Sequence, residues 1–280
     1  MSHRENPFQE PLDPSVSSPL NFAVAQRDKD TLGMVRRAVE RRDVVLAFQP
    51  VVQTARPDRP AFYEGLIRVL DDTGRIIPAK DFIEPVESTE LGRQLDCLAL
   101  EMGLTALAED LHLRLSVNMS ARSIGYGRWT KVLERGLARE DTVAERLILE
   151  ITESSAMTMP ELVAVFMKEL QMRGVSFALD DFGAGYTSLR YLREFYFDIL
   201  KIDGQFITGI SRNPDNQVLT DAILSIARHF DMFTVAEAVE SAEDAEYLTR
   251  VGVDCMQGFY FGAPTIMPPW KTPSQQAMRA

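Results

Sequence analysis

Five carboxylates stand at or just beyond the ends of short apolar runs in this chain: Glu64, Glu150, Asp180, Asp181 and Glu237. Asn118, Lys201 and Gln257 end three further runs. Side chains along a strand alternate between two faces. That period puts Glu150 with Ile148, Asp180 with Ala178, Lys201 with Ile199, Glu237 with Val235 and Gln257 with Cys255. It also puts Glu64 with Leu66 and Arg68, and Asn118 with Ser116. If these faces look inward, seven strands converge on one acidic mouth, with Asp181 and Glu153 just past the strand ends. Its carboxylates then face only Lys201 and Arg68. Carboxylates a few ångströms apart cannot all ionise, because each raises the pKa of its neighbour. Divalent cations relieve that repulsion, and oxygen donors without His or Cys favour Mg2+ or Mn2+ over zinc. The adjacent pair Asp180-Asp181 could serve two ions with one carboxylate bridging, a clamp for phosphoryl transfer to water.

Each piece alone also has an ordinary reading. Glu150 and Asn118 could cap helices, Lys201 could be a solvated strand-end lysine, and Asp180-Asp181 could make an Asx turn. The glycines of Gly183-Ala184-Gly185 could simply form a loop, and no Gly-Lys-Ser/Thr follows to make a P-loop. What these readings explain badly is the same anomaly on strand after strand. Strands of a parallel barrel are covered on both faces and should be almost wholly apolar.

The elements that would position these groups alternate along the chain. Strands are expected at 44–52, 62–70, 113–118, 147–152, 175–180, 199–202, 234–236 and 255–260. Helical patterns occupy 30–41, 88–108, 128–139, 160–172, 188–194, 214–230 and 242–251. Pro160 suits a helix start and Gly174 a helix stop. Eight strand–helix units predict an α/β fold, a (β/α)8 TIM-like barrel. The first two strands are joined by a polar, proline-containing stretch with no helix, so one strand is expected to run antiparallel. Residues 1–28 read as a flexible arm, 30–265 as the barrel domain and 266–280 as a loosely attached tail.

Composition removes several classes of function. Forty-one acidic against 30 basic residues give a net charge of −11. Such a chain lacks the basic field that binding a nucleic-acid polymer or an anionic membrane requires. Cys97 and Cys255 are the only cysteines, too few for a disulfide framework or a thiolate zinc site. That usage, no apolar run of about 18 residues, and a first ten residues without a signal-peptide layout give the expectation of a cytoplasmic protein.

The motifs in order resemble a known family. They are Tyr63-Glu64-Gly65-Leu66-Ile67-Arg68, Asn118-Met119-Ser120, Glu150-Ile151-Thr152-Glu153, Asp180-Asp181-Phe182-Gly183-Ala184-Gly185-Tyr186, Leu200-Lys201-Ile202-Asp203, Ala236-Glu237-Ala238-Val239-Glu240 and Gln257-Gly258-Phe259-Tyr260-Phe261-Gly262. Over about 35–265 the chain resembles the EAL domain, the cyclic di-GMP-specific phosphodiesterase module of bacteria.

The resemblance implies hydrolysis of cyclic di-GMP to linear pGpG with two Mg2+ or Mn2+. It implies that Glu64, Asn118, Glu150 and Asp180 hold one metal, with Asp180 bridging and Asp181 holding the second. Lys201 and Glu237 would orient and deprotonate the attacking water, and Gln257 would complete the ligand shell. Leu66 and Arg68 would contact substrate, the arginine through a phosphate. Glu153 would anchor the 182–188 loop, through which a homodimer is expected. Two departures stand out. The signature reads Glu-Gly-Leu, and Ala238 occupies a position where the family usually has Gly. A positive φ there would strain an alanine by about a kilocalorie. Two other readings stay open: a non-catalytic cyclic di-GMP receptor acting through a protein partner, and a different metal-dependent barrel enzyme.

Overall fold

The structure is a computed structural model that describes residues 19–185, 191–268 and 270. Nine strands form one sheet: β1 Val44–Gln53, β2 Arg56–Leu70, β3 Ile76–Pro78, β4 Leu115–Asn118, β5 Leu147–Thr152, β6 Ser176–Phe182, β7 Ile199–Ile202, β8 Phe233–Ala236 and β9 Cys255–Gln257. Their order is β1-β9-β8-β7-β6-β5-β4-β2-β3, and β1 also pairs with β2. Eight strands therefore close into a barrel, and β3 hangs on β2 as an extra edge strand. From β2 through β4 to β9 the neighbours are parallel, whereas β1 runs antiparallel to both β2 and β9.

The TIM-like barrel with one antiparallel strand is thus present, with local differences. The polar stretch after β1 is mostly strand, because β2 begins at Arg56 and meets β1 across a tight turn. The helix expected at 88–108 is present as Glu90–Glu109, and a short helix that was not expected, Ile83–Glu87, precedes it. Thr89 divides them by accepting the Leu91 N–H on its side chain. The last strand ends at Gln257, not at residue 260. The helix expected from residue 30 starts at Pro19, so the end of the stretch read as an arm is helical; residues 1–18 lie outside the described residues. Trp270, in the stretch read as a loose tail, packs edge-on against Tyr63 and Phe48, with ring centroids 4.5 and 5.2 Å away. Residues 271–280 lie outside the described residues. Among the described residues no helix is long and apolar enough to cross a membrane.

Three apolar clusters hold the barrel together. The largest joins the outer strand faces (Leu115, Leu149, Phe177, Leu200) to the surrounding helices through Leu100, Leu104, Trp129 and Met167. A second lies inside the barrel and consists of Val51, Phe62, Ile148, Ala178, Ile199 and Val235. The third fixes the helix Pro19–Arg41, through Val35, Ala38 and Val39, to Val69, Ile77, Phe82 and Val86 beside β3. Each fully buried Leu, Val or Phe contributes about 1.5–3 kcal/mol of transfer free energy, and the closed sheet leaves no long unpaired edge.

Beyond β8 the backbone turns sharply. Ala238 adopts φ 51°, in the left-handed region that side-chain-bearing residues avoid. Two glycines make room for this turn. A Cβ on Gly204 would lie 2.7 Å from the Ala238 Cβ, and one on Gly258 would lie 2.0 Å from the Val239 carbonyl oxygen. The Glu237 N–H donates to the Ile202 carbonyl at 3.2 Å and the Val239 N–H to the Gln257 carbonyl at 3.0 Å. Neighbouring strands therefore hold Ala238 in place despite its conformational cost. Ala238→Gly removes that cost but adds freedom to the unfolded chain. The net expectation is a gain of about 0.5–1 kcal/mol, measurable by chemical denaturation; a loss of stability would show that Ala238 is unstrained.

Candidate active site

Inside the barrel the strand period stacks two kinds of residue. The interior apolar cluster ends at Phe62, Ile148, Ala178, Ile199 and Val235. Two positions nearer the mouth, the same faces carry Glu64, Glu150, Asp180, Lys201 and Glu237. On β4 and β9 the corresponding steps run from Ser116 to Asn118 and from Cys255 to Gln257. On β1, which runs the other way, the step is from Val51 back to Gln49. Every strand of the closed barrel thus sends one polar group to the floor of the mouth.

Lys201 lies at the centre of that floor and is 1% exposed. Its Nζ stands 2.7 Å from Glu237 Oε1, 2.8 Å from Glu150 Oε2, 2.9 Å from Asp180 Oδ1 and 3.5 Å from Glu64 Oε2. Amides hold the rest. Asn118 Nδ2 donates to Glu64 Oε1 at 2.7 Å, and Gln257 Nε2 donates to Glu64 Oε2 at 2.6 Å and to Gln49 Oε1 at 3.1 Å. Gln49 in turn donates to the Gly262 carbonyl.

One ammonium cannot neutralise four carboxylates, and the pKa shifts of the floor follow from the shortfall. Burial would raise Glu64, but Lys201 and the donors Gln257 and Asn118 outweigh it and hold it below the ordinary range. Glu150 is driven well above that range by burial and by Glu64. Glu237 is pushed up to about 8, chiefly by burial, despite its contact with Lys201. Asp181, at the register irregularity near the end of β6 with φ 54°, rises to about 6 through partial burial and the adjacent Asp180 charge. Lys201 moves well above its ordinary value: burial opposes its charge, but the surrounding carboxylates prevail.

This donor set fits hard divalent cations. Ligand atoms of Asp180, Asp181 and Glu237 lie within 4.8 Å of one another. Glu150 Oε1 and Gln257 Oε1 are buried acceptors with no hydrogen-bond donor among the described residues. Orphaned buried acceptors are rare, and a cation satisfies them. All the donors are oxygens, as Mg2+ and Mn2+ require.

Above the floor opens a cleft of about 730 Å3, a volume usual for ligand sites. Leu66 and Arg68 line it, and Arg68 Nη1 is tethered to the Ile67 carbonyl at 2.9 Å. Glu153 lies outside the cleft, where its Oε2 accepts the Gly183 N–H at 3.1 Å. The loop it was expected to anchor, 182–188, continues into residues 186–190, outside the described residues, and so does the surface expected to pair two copies. All seven expected ligand residues and Lys201 come together. The reading of the sequence missed Gln49, although its signal was present: it is the only polar side chain in the run from Val44 to Val52. It also missed Lys80 and Phe259, which line the cleft from outside the strands.

Comparison with known proteins places the geometry in context. The EAL domain family model matches residues 33–264. The bifunctional diguanylate cyclase/cyclic di-GMP phosphodiesterase MucR of Pseudomonas aeruginosa is 34% identical over 248 residues, covering 86% of this chain and 36% of MucR. The cyclic di-GMP phosphodiesterase PdeF of Escherichia coli is 32% identical, covering 84% of this chain and 32% of PdeF. The chain therefore spans about a third of the length of these relatives. Among solved structures, the PaMucR phosphodiesterase in complex with c-di-GMP superposes with a TM-score of 0.76 at 31% identity, covering 89% of this chain and 99% of that one.

The raised carboxyls give the metal-free protein a defined pH response. Asp and Glu titrate near 4 when unfolded, but Asp181 and Glu237 at about 6 and 8 when folded. The folded state therefore keeps extra protons in that window, and stability falls as pH rises from about 5 to 9. Excess Mg2+ replaces those protons, so it should raise the melting temperature more at pH 8.5 than at pH 6. A hundredfold excess over Kd is worth about 2.7 kcal/mol. An equal gain at both pH values, or none, would contradict this assignment.

Proposed function

The chain belongs to the EAL domain family, and from that premise we propose that it is a phosphodiesterase that hydrolyses cyclic di-GMP to linear pGpG with two Mg2+ or Mn2+ ions. The observation that carries this reading is the ring of Glu64, Glu150, Asp180 and Glu237 around Lys201 at the foot of an open cleft. The relatives MucR and PdeF, both named cyclic di-GMP phosphodiesterases, support the same substrate.

In this reading Glu64, Asn118, Glu150, Asp180, Asp181, Glu237 and Gln257 hold the ions. When bound, the ions acidify the attacking water and offset charge on the phosphate oxygens. Lys201 holds three carboxylates at 2.7–2.9 Å and so fixes the floor. Glu237 accepts a proton from the attacking water, a role its position at the floor of the cleft beside Asp180 and Asp181 allows. The tethered guanidinium of Arg68 grips a phosphate oxygen, and Leu66 gives the substrate an apolar contact. The water oxygen bonds to phosphorus, the bond to the 3′ oxygen breaks, and the released 3′ oxygen takes up a proton, balancing the one given to Glu237, to leave as a hydroxyl. Glu153 steadies the segment after Asp181 by its hold on Gly183, and two copies pair through the 182–188 region.

Purified protein incubated with cyclic di-GMP and Mg2+ or Mn2+ should release pGpG, followed by chromatography. Glu64→Ala and Glu237→Ala should each reduce kcat by about a hundredfold or more. Tight nucleotide binding that survives chelation, with no turnover, would overturn the enzyme and leave a receptor.

A further inference from the structure

The mouth of this barrel is strongly acidic, yet the proposed substrate is a dianion. Glu64, Asp203, Glu237 and Glu240 line the cleft, while Lys201 is buried beneath it. Among the described residues lining the cleft, the cations that reach it are Arg68 and Lys80. Both rise from one wall. Arg68 on β2 pairs directly with Pro78 on β3, and Lys80 follows two residues later on the short 3-10 turn Ala79–Asp81.

The two cations differ in kind. Arg68 is half-buried and tethered to the Ile67 carbonyl, and the charges of Glu64 and Asp81 act on it. Lys80 is exposed, and among the described residues no hydrogen bond or ion pair engages its ammonium. The wall beneath it is rigid, because Ile77 and Phe82 on either side of the turn are anchored in the apolar cluster that holds the helix Pro19–Arg41. A mobile point charge on a fixed base suits a phosphate that must be held without being oriented for reaction.

Resting on the cyclic di-GMP reading, we propose that Lys80 binds the second, non-reacting phosphodiester of the substrate while Arg68 serves the reacting one. Lys80 is then a specificity-determining residue: it favours a ring with two phosphates over a dinucleotide with one. The contact is solvent-exposed, so its worth is modest and falls with salt.

The test is equilibrium binding at low salt, in excess Ca2+, of cyclic di-GMP and of linear GpG, which carries a single phosphodiester. Lys80→Ala should weaken cyclic di-GMP about fivefold, change GpG by less than twofold, and make the salt dependence of cyclic di-GMP binding shallower. Lys80→Arg should retain affinity for the ring, and Lys131→Ala, on an outer helix, should change neither ligand. Unchanged affinity of Lys80→Ala for cyclic di-GMP, or equal losses for both ligands, would overturn the role of Lys80 and leave the substrate reading intact. Failure of the unsubstituted protein to bind cyclic di-GMP would overturn the substrate reading, and this proposal with it.

Discussion

A single buried ammonium among four carboxylates is the constraint around which the rest is arranged. Removing charges from water is costly, and the cost is recovered only by close, well-satisfied pairing. Lys201 meets that condition for three partners and falls short for the set as a whole. Glu150 and Gln257 are left with acceptor oxygens that no donor among the described residues satisfies. A floor so over-supplied with negative charge favours whatever cation can enter, and the barrel delivers the floor's polar groups from eight separate strands. Such a floor tolerates little movement, which accounts for the dense packing outside the strands.

The barrel was legible in the sequence because its two periods differ clearly. Short runs with polar ends every two residues marked the strands, and longer amphipathic stretches marked the helices. The floor residues were legible for the same reason: charged side chains on strands that should be apolar. Gln49 escaped because its strand runs antiparallel, so its mouth-facing end is not its C-terminal end. Lys80 escaped because it sits on a short turn after a three-residue strand, where no periodicity exists to make it anomalous. The true start of the first helix was obscured by a composition rich in proline, serine and asparagine. Trp270 was passed over because prolines surround it, although a large aromatic ring is itself a reason to expect packing.

Ala238 illustrates how local cost and global support meet beside the chemistry. Its left-handed backbone follows the residue that directs a carboxylate into the cleft. The glycines at 204 and 258 leave space for the turn, and backbone hydrogen bonds from two neighbouring strands hold it. Conformations of this cost persist only where surrounding structure over-determines them. Here that surrounding structure is the same set of strand ends that carries Lys201 and Gln257.

The antiparallel β1 also bears on how the molecule comes into being. The barrel closes where β1 meets β9, and the bond between Gln49 and Gln257 spans 208 positions of chain. Contacts so distant in sequence form late, because a long loop must be closed before they stabilise anything. The seam of the cylinder and the seam of the floor coincide. A nascent chain leaving the ribosome can therefore build most of its strands without gathering the complete ring of ligands. The ring appears only in the act of closure, so an unfinished protein holds no finished trap for metal.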